Sequence, residues 1–321
     1  MADTSIEWAT HVWNPTTGCD RVSAGCDHCY ALTMAKRLKG MGSAKYQRDG
    51  DLKTSGPGFG VTEHWDTLNE PFGWRKPRRV FVNSMSDLFH EEVSENFIAQ
   101  VFAAMATTPK HTYMILTKRH ARMRALLRKW TPVTGVPPWT HTGPWPLPNV
   151  WLGVSAEDQK WADIRIPALL ETPAVVRFIS AEPLLGPVIL RDDWIGADPY
   201  RRDEPSLSWV IAGGESGPGA RPMHPKWVKD LRDQCQQAGI AYHFKQWGEW
   251  RPQPRYSTDD RHHLVMVNGM DRGTPWTGWG LDQPDAEVME RVGKKAAGRE
   301  LDGREWNEFP DTKPQEVVVH G

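Results

Sequence analysis

Six short apolar runs recur through residues 79–250, and they constrain the fold of this chain more than any other feature. They are RVFVNSMSD (79–87), TYMILTK (112–118), VWLGVSAE (150–157), VVRFISAE (175–182), WVIAGGE (209–215) and AYHFKQ (241–246). Their length and their β-branched or aromatic content predict buried strands. Helical patterns separate them. Residues 94–107 are amphipathic with Ser94 placed as a cap, 119–130 are basic, 160–170 are apolar on one face, and 225–238 open on a proline and stop at Gly239. Near-continuous apolar strands alternating with helices predict a parallel sheet covered by helices. With a first strand at 7–13 there are about seven βα units. The predicted fold class is therefore α/β, as a full or partial (β/α) TIM-like barrel.

In such barrels active sites form at the C-terminal strand ends. Every run ends there in polar groups: Asn83, Ser84 and Asp87; Thr117 and Lys118; Ser155 and Glu157; Ser180 and Glu182; Glu215 and Ser216; Lys245 and Gln246. Six strands ending alike predict a common polar cavity. Three segments fall outside the alternation. Residues 40–78 are a Gly-, Lys- and Asp-rich insertion after a first helix at 29–38, and 131–149 are a proline-rich loop or lid with two tryptophans. Residues 251–321 are polar, with weak periodicity apart from 285–297. The organisation is thus a barrel over 1–250, with insertions at 40–78 and 131–149, and a C-terminal extension over 251–321 packed on it.

Thirty-nine lysines and arginines against forty acids leave a formal charge of −1, so no global field drives the chain onto nucleic acid or membrane. No apolar run approaches the ~20 residues of a membrane span. The N-terminus has no apolar secretory core, which predicts a cytoplasmic protein. Seventeen tryptophans, most of them in proline- and glycine-rich stretches, could wall a pocket as well as fill a core.

Cys19, Cys26 and Cys29 stand in a C-x6-C-x2-C pattern on the loop after the first strand, and Cys235 is the only other cysteine. A chain so poor in cysteine argues against disulfides. A closed structural zinc site wants four ligands, and His28 is hemmed between two of the cysteines. Three thiolates without an evident fourth fit a [4Fe–4S] cluster with one iron left open. Zinc completed by His90, His111 or a water is the other reading.

Three cysteines after a first barrel strand resemble the radical S-adenosylmethionine (SAM) superfamily, whose usual spacing is C-x3-C-x2-C. The last two cysteines match, and the first gap is three residues longer. Further stretches are similar to a phage and prophage family named for its three-cysteine motif and of unknown function. They are WNPTTGC (13–19), GCDHCY (25–30), NSMSDLF (83–89), LTKR (116–119), GGESG (213–217) and GKKAAGRELDGR (293–304). The strand-end set of Ser84, Asp87, Lys118 and Ser155 is similar to that of spore photoproduct lyase and its relatives.

These resemblances imply a radical SAM barrel with the cluster on Cys19, Cys26 and Cys29, and SAM on the open iron. Ser84 or Asp87 would take the SAM ammonium, Lys118 its carboxylate, and Ser155 would lie near the ribose or methionine. The Gly-Gly-Glu at 213–215 resembles the superfamily's SAM-amino motif but lies on the sixth strand. Glu215 is therefore as ready to position substrate as SAM, and with Glu182 and Lys245 it is a candidate for substrate binding. The implied activity is reductive SAM cleavage followed by hydrogen abstraction, served by an electron donor. Trp247, Trp250 and the 131–149 loop would exclude water. The basic run Lys118, Arg119, Arg122, Arg124, Arg128 and Lys129, with Lys76, Arg78 and Arg79, could track the phosphates of a nucleic-acid substrate. It could equally be a solvated face balancing the acids. A zinc-dependent barrel hydrolase and a non-catalytic iron–sulfur protein are the alternative functions.

Overall fold

The apolar runs pair side by side in the order in which they occur along the chain. In the computed structural model, which describes residues 4, 6–130, 144–201, 203–252, 262–267, 272–275 and 286–311, one sheet holds seven strands. They are β1 His11–Trp13, β2 Arg79–Val82, β3 Thr112–Thr117, β4 Val150–Ser155, β5 Val176–Ala181, β6 Trp209–Gly213 and β7 Ala241–Gln246. Every neighbouring pair is parallel, and the order follows the sequence without reversal. Right-handed crossovers in an order that never reverses all fall on one face. One face is thus covered by helices, and the other curls in on itself as a partial barrel.

Period-two alternation sorts the strand residues between those faces. Val80, Val82, Tyr113, Ile115, Leu152, Val154, Ile179, Val210 and Phe244 belong to the core under the helices. Phe81, Met114, Trp151, Phe178, Trp209 and Ile211 form the inner core with Trp8. Gly153 faces inward, where an added Cβ would fall 2.4 Å from the Phe178 ring. A glycine there is what lets Phe178 lie flat across its neighbour.

The covering helices are α1 Tyr30–Gly40, α2 Glu95–Ala106, α3 His120–Lys129, α4 Gln159–Leu170 and α5 Pro225–Ala238. The Ser94 hydroxyl accepts the Phe97 N–H as the N-cap of α2, and Gly239 closes α5 with φ 69°. Two expectations change. β1 is shorter than 7–13, because residues 7–8 form a turn that carries Trp8 into the inner core. The crossover from β5 to β6 has no helix among its described residues, so five crossovers are helical rather than all of them.

The 40–78 insertion is built of short 3-10 turns, and Thr62–Glu63 pairs with Thr16–Thr17. Most of the 131–149 segment, 131–143, lies outside the described residues. The remainder enters β4 at its N-terminal end, opposite the expected mouth, with Trp145 against Phe102 and Trp130. In the C-terminal extension a four-stranded antiparallel sheet forms from Trp250–Pro252, His262–Met266, Arg272–Pro275 and Ala286–Arg291. Residues 304–309 then run along β7. The Phe244 N–H donates to the Trp306 carbonyl at 2.9 Å, Asn307 forms an antiparallel bridge with His243, and the Phe309 ring lies 5.1 Å from Trp209. Arg79 of β2 stacks on that same ring at 4.2 Å. Among the described residues no helix is long and apolar enough to cross a membrane.

Candidate functional site

At the C-terminal edge of the sheet the strand ends and the cysteine loop enclose a cavity of about 690 Å³, within the size range of small-molecule sites. Its floor is the inner core, through Trp8, Val12, Phe81 and Leu116. Cys19, Cys26 and Cys29 line it. So do Ser84 and Asp87 after β2, Lys118 after β3, Ser155 in β4, Glu182 after β5, Glu215 after β6 and Lys245 in β7. All ten site residues expected from the sequence share this one cavity. Of the polar strand-end groups, Glu157 alone lies beneath the wall rather than on it.

The three thiols of the loop are unpaired. Burial, followed by the nearby Asp87 carboxylate, pushes the Cys19 thiol far up, with Arg119 opposing. Burial also raises Cys29. Thiols in this setting hold their protons until a cation arrives to stabilise the thiolates.

Three carboxylates hold the loop in place. Asp20, directly after Cys19, accepts the hydroxyls of Thr54 at 2.5 Å and Ser55 at 2.9 Å, and His90 Nε2 at 3.0 Å. Arg119 Nη2 donates to the Asp20 carbonyl at 3.4 Å and lies 4.0 Å from Cys19 Sγ.

Glu157 is fully buried. Its Oε1 accepts the Ser23 hydroxyl at 2.6 Å and Lys118 Nζ, while Oε2 accepts Arg165 Nη1 at 2.8 Å. Burial works against its ionisation, yet Lys118 and Arg165 hold its pKa down to about 2. A Cβ on Gly25 would fall 2.5 Å from Glu157 Oε1, so the loop settles on this carboxylate only as glycine.

The third anchor is Glu215, which takes Arg221 through both oxygens at 2.6 and 2.8 Å and His28 Nδ1 at 3.2 Å. Arg221 continues to the Ala24 carbonyl at 2.8 Å and to Asp27 at 3.5 Å. Burial opposes ionisation here too, and the Arg221 and His28 contacts keep the carboxyl below its ordinary range.

The histidines once open as zinc ligands do not line the cavity. His90 Nδ1 accepts the Glu92 N–H at 3.2 Å while Nε2 donates to Asp20, so no lone pair is left although Asp20, His90 and Glu92 converge. His111 is buried beside Trp74 and Tyr113, just before the N-terminal end of β3.

Other strand-end groups already have partners. Asp87 accepts from Thr117 Oγ1, the Lys118 N–H and the Phe89 N–H. Glu182 pairs with Lys245 at 2.8 Å and accepts from Gln246 at 3.3 Å. The Ser84 hydroxyl donates to Asn14 Oδ1 at 3.3 Å.

Two sequence expectations are corrected. The tryptophans fill cores rather than wall the pocket: Trp8 alone of the described ones lines the cavity. Trp247 and Trp250 instead donate to the carbonyls of Glu300 and Ala220. The basic run is likewise neutralised. Arg124 and Arg128 pair with Glu171, Lys129 with Glu95, and Arg122 caps the carbonyls of His90 and Val93. Arg78 contacts His11 and Arg79 stacks on Phe309.

Sequence reasoning missed Asp20, Ser23, Arg165 and Arg221. Of these only Arg165 carried a signal, as a cation on the apolar face of its helix.

The profile of a family described as "Protein of unknown function (DUF5131)" matches residues 3–310. No curated protein matches the chain. Among solved structures, spore photoproduct lyase complexed with dinucleoside spore photoproduct is 12% identical, covering 86% of this chain and 67% of that chain at a TM-score of 0.36. A cysteine-to-serine mutant of spore photoproduct lyase is likewise 12% identical, covering 90% and 70% at a TM-score of 0.40.

Proposed function

The chain belongs to the DUF5131 family of proteins of unknown function, and from the geometry of its site we propose that it is a radical SAM enzyme. The supporting observation is a donor set of three thiols on a cavity at the C-terminal ends of a parallel sheet. Their spacing favours a cluster over a single zinc. Among the described residues, Asp20, His90 and Glu92 have ligand atoms within 4.8 Å of one another, and the three cysteines form no such group. Tetrahedral zinc with bonds of ~2.3 Å would need sulfurs about 3.8 Å apart. Three soft thiolates, with no lone pair left on His90, fit a [4Fe–4S] cluster that keeps one iron open.

The cluster, once bound, supplies the single electron that cleaves SAM and starts hydrogen abstraction. The chain's own residues bind and orient. Lys118, Glu157 and Arg165 together carry one net positive charge, so Lys118 still attracts a carboxylate although Glu157 holds it. Asp87 accepts only from neutral donors and keeps its negative charge for an ammonium. A zwitterionic amino acid moiety finds both complements on one wall, with the hydroxyls of Ser84 and Ser155 beside it. Glu182, Glu215 and Lys245 lie on the strand ends beyond, as substrate-side groups. Glu215 also fixes the loop through His28 and Arg221.

The test is anaerobic reconstitution with iron and sulfide, followed by SAM and dithionite. A brown protein that forms 5′-deoxyadenosine is the expected result, with the activity lost in Cys26→Ser. A chain that takes up stoichiometric zinc and never iron would overturn the proposal.

A further inference from the structure

The cavity mouth is more basic than the chain as a whole. Two of its acids are paired with cations, Glu182 with Lys245 and Glu215 with Arg221, while Asp20 and Asp87 accept only from neutral groups. Four exposed cations, Arg21, Arg37, Lys53 and Lys294, have no ion-pair partner among the described residues. Arg21 and Lys294 line the cavity itself. Lys53 is next to Thr54, whose carbonyl accepts the Arg21 N–H at 3.2 Å.

Helix α1 continues the same surface. Tyr30, Met34 and Arg37 are four and three residues apart, which puts them in one stripe along the helix. Tyr30 and Met34 line the mouth while remaining 53% and 41% exposed. The Tyr30 hydroxyl donates to the Ser84 carbonyl at 2.5 Å, which fixes the ring as a platform. Inside the cavity, three buried lining residues have polar atoms without a partner: Trp8 Nε1, Asn83 Nδ2 and Gln246 Oε1. Asn83 is also held at φ 66°, a left-handed conformation that favours glycine. Backbone strain beside an unsatisfied buried amide points to a ligand contact.

We propose that this mouth is a track for single-stranded nucleic acid, with one unstacked nucleobase inserted into the cavity. Phosphates lie on Arg21, Arg37, Lys53 and Lys294, and a neighbouring base stacks on Tyr30. The inserted base rests on the Trp8–Phe81 floor. An acidic protein would match the cations but would leave the cavity and its aromatic floor unused. The proposal deepens the radical SAM reading by naming the substrate of that site, and rests on it for the chemistry but not for the binding.

Fluorescence anisotropy of the full chain with a labelled single-stranded oligonucleotide tests it. Between about 50 and 200 mM salt, three or four neutralised phosphates give a log–log slope of about −2 to −3. Arg21→Glu with Arg37→Glu reduces that slope by about 1.4. Tyr30→Ala weakens binding about tenfold, while Arg124→Ala on the ion-paired face of α3 leaves it unchanged. Absence of binding at low salt, binding indifferent to the double variant, or equal affinity for polyglutamate overturns the proposal. A wild type that binds the strand but yields no 5′-deoxyadenosine overturns only the radical SAM reading. One that cleaves SAM but binds no strand overturns only this inference.

Discussion

Glu157 shows how a single buried carboxylate can organise a loop it does not belong to. It joins Ser23 of the cysteine loop to Lys118 and Arg165, which lie on two different βα units. Removing its charge leaves Arg165 buried and Lys118 half-buried without compensation, a change that typically costs about 3–5 kcal/mol for a buried pair. Its pKa lies near 2 when folded against an ordinary value of 4.5. The stabilisation is therefore complete above pH 4.5 and lost as pH falls towards 2, and amounts to ~3 kcal/mol at neutral pH. Urea unfolding of wild type and Glu157→Gln should differ by that order at pH 7, with under half of the gap left at about pH 3. Equal midpoints at pH 7 would show that the ion triad contributes nothing. This network was not legible in the sequence. Ser23 and Glu157 are 134 residues apart and His28 and Glu215 are 187 apart, and no local pattern records such pairings. The strand-end polar groups were legible because periodicity places them at the sheet edge whatever their partners turn out to be.

At the scale of elements, local signals located the strands and helices closely, because each buries a face its own pattern declares. Ser94 is an instance: the hydroxyl expected to cap α2 accepts the Phe97 N–H at 3.2 Å. Ser94→Ala should lower unfolding free energy by about 1 kcal/mol, seen as a shifted chemical midpoint with an unchanged slope. An unchanged midpoint would show that water replaces the cap without loss. The crossover between β5 and β6, with no helix among its described residues, was harder to foresee, since apolar residues such as Leu184, Leu185, Val188 and Trp194 bury themselves there without helical periodicity. For the basic run the sequence left a phosphate track and a face balancing the acids both open, and the structure shows the second. The cations of the run pair with Glu95 and Glu171, acids on other helices, and sequence shows charge but not its neutralisation.

On the scale of the whole molecule, the sheet would expose one long edge at β7 were it not for residues 304–309 lying along it. Phe309 reaches from Trp209 to the Arg79 side chain of β2, so the tail bridges strands far apart in the sheet. Unpaired edges are templates for association. A chain ending at residue 297 should elute as oligomers in size-exclusion chromatography and melt at a lower temperature. A monomeric truncation with unchanged melting would show that the tail only decorates the barrel.

The three-carboxylate clamp also bears on how the protein is made. The cysteine loop is synthesised early, but Glu215 and Arg221 that fasten it follow some 190 residues later. At roughly 5–20 residues per second of synthesis, the thiols wait on the order of 10–40 seconds for that anchor. During this interval they are ordinary soft ligands in a crowded cell, open to whichever thiophilic ion arrives first. For the cluster proposed above, loading is then a matter of timing as well as affinity.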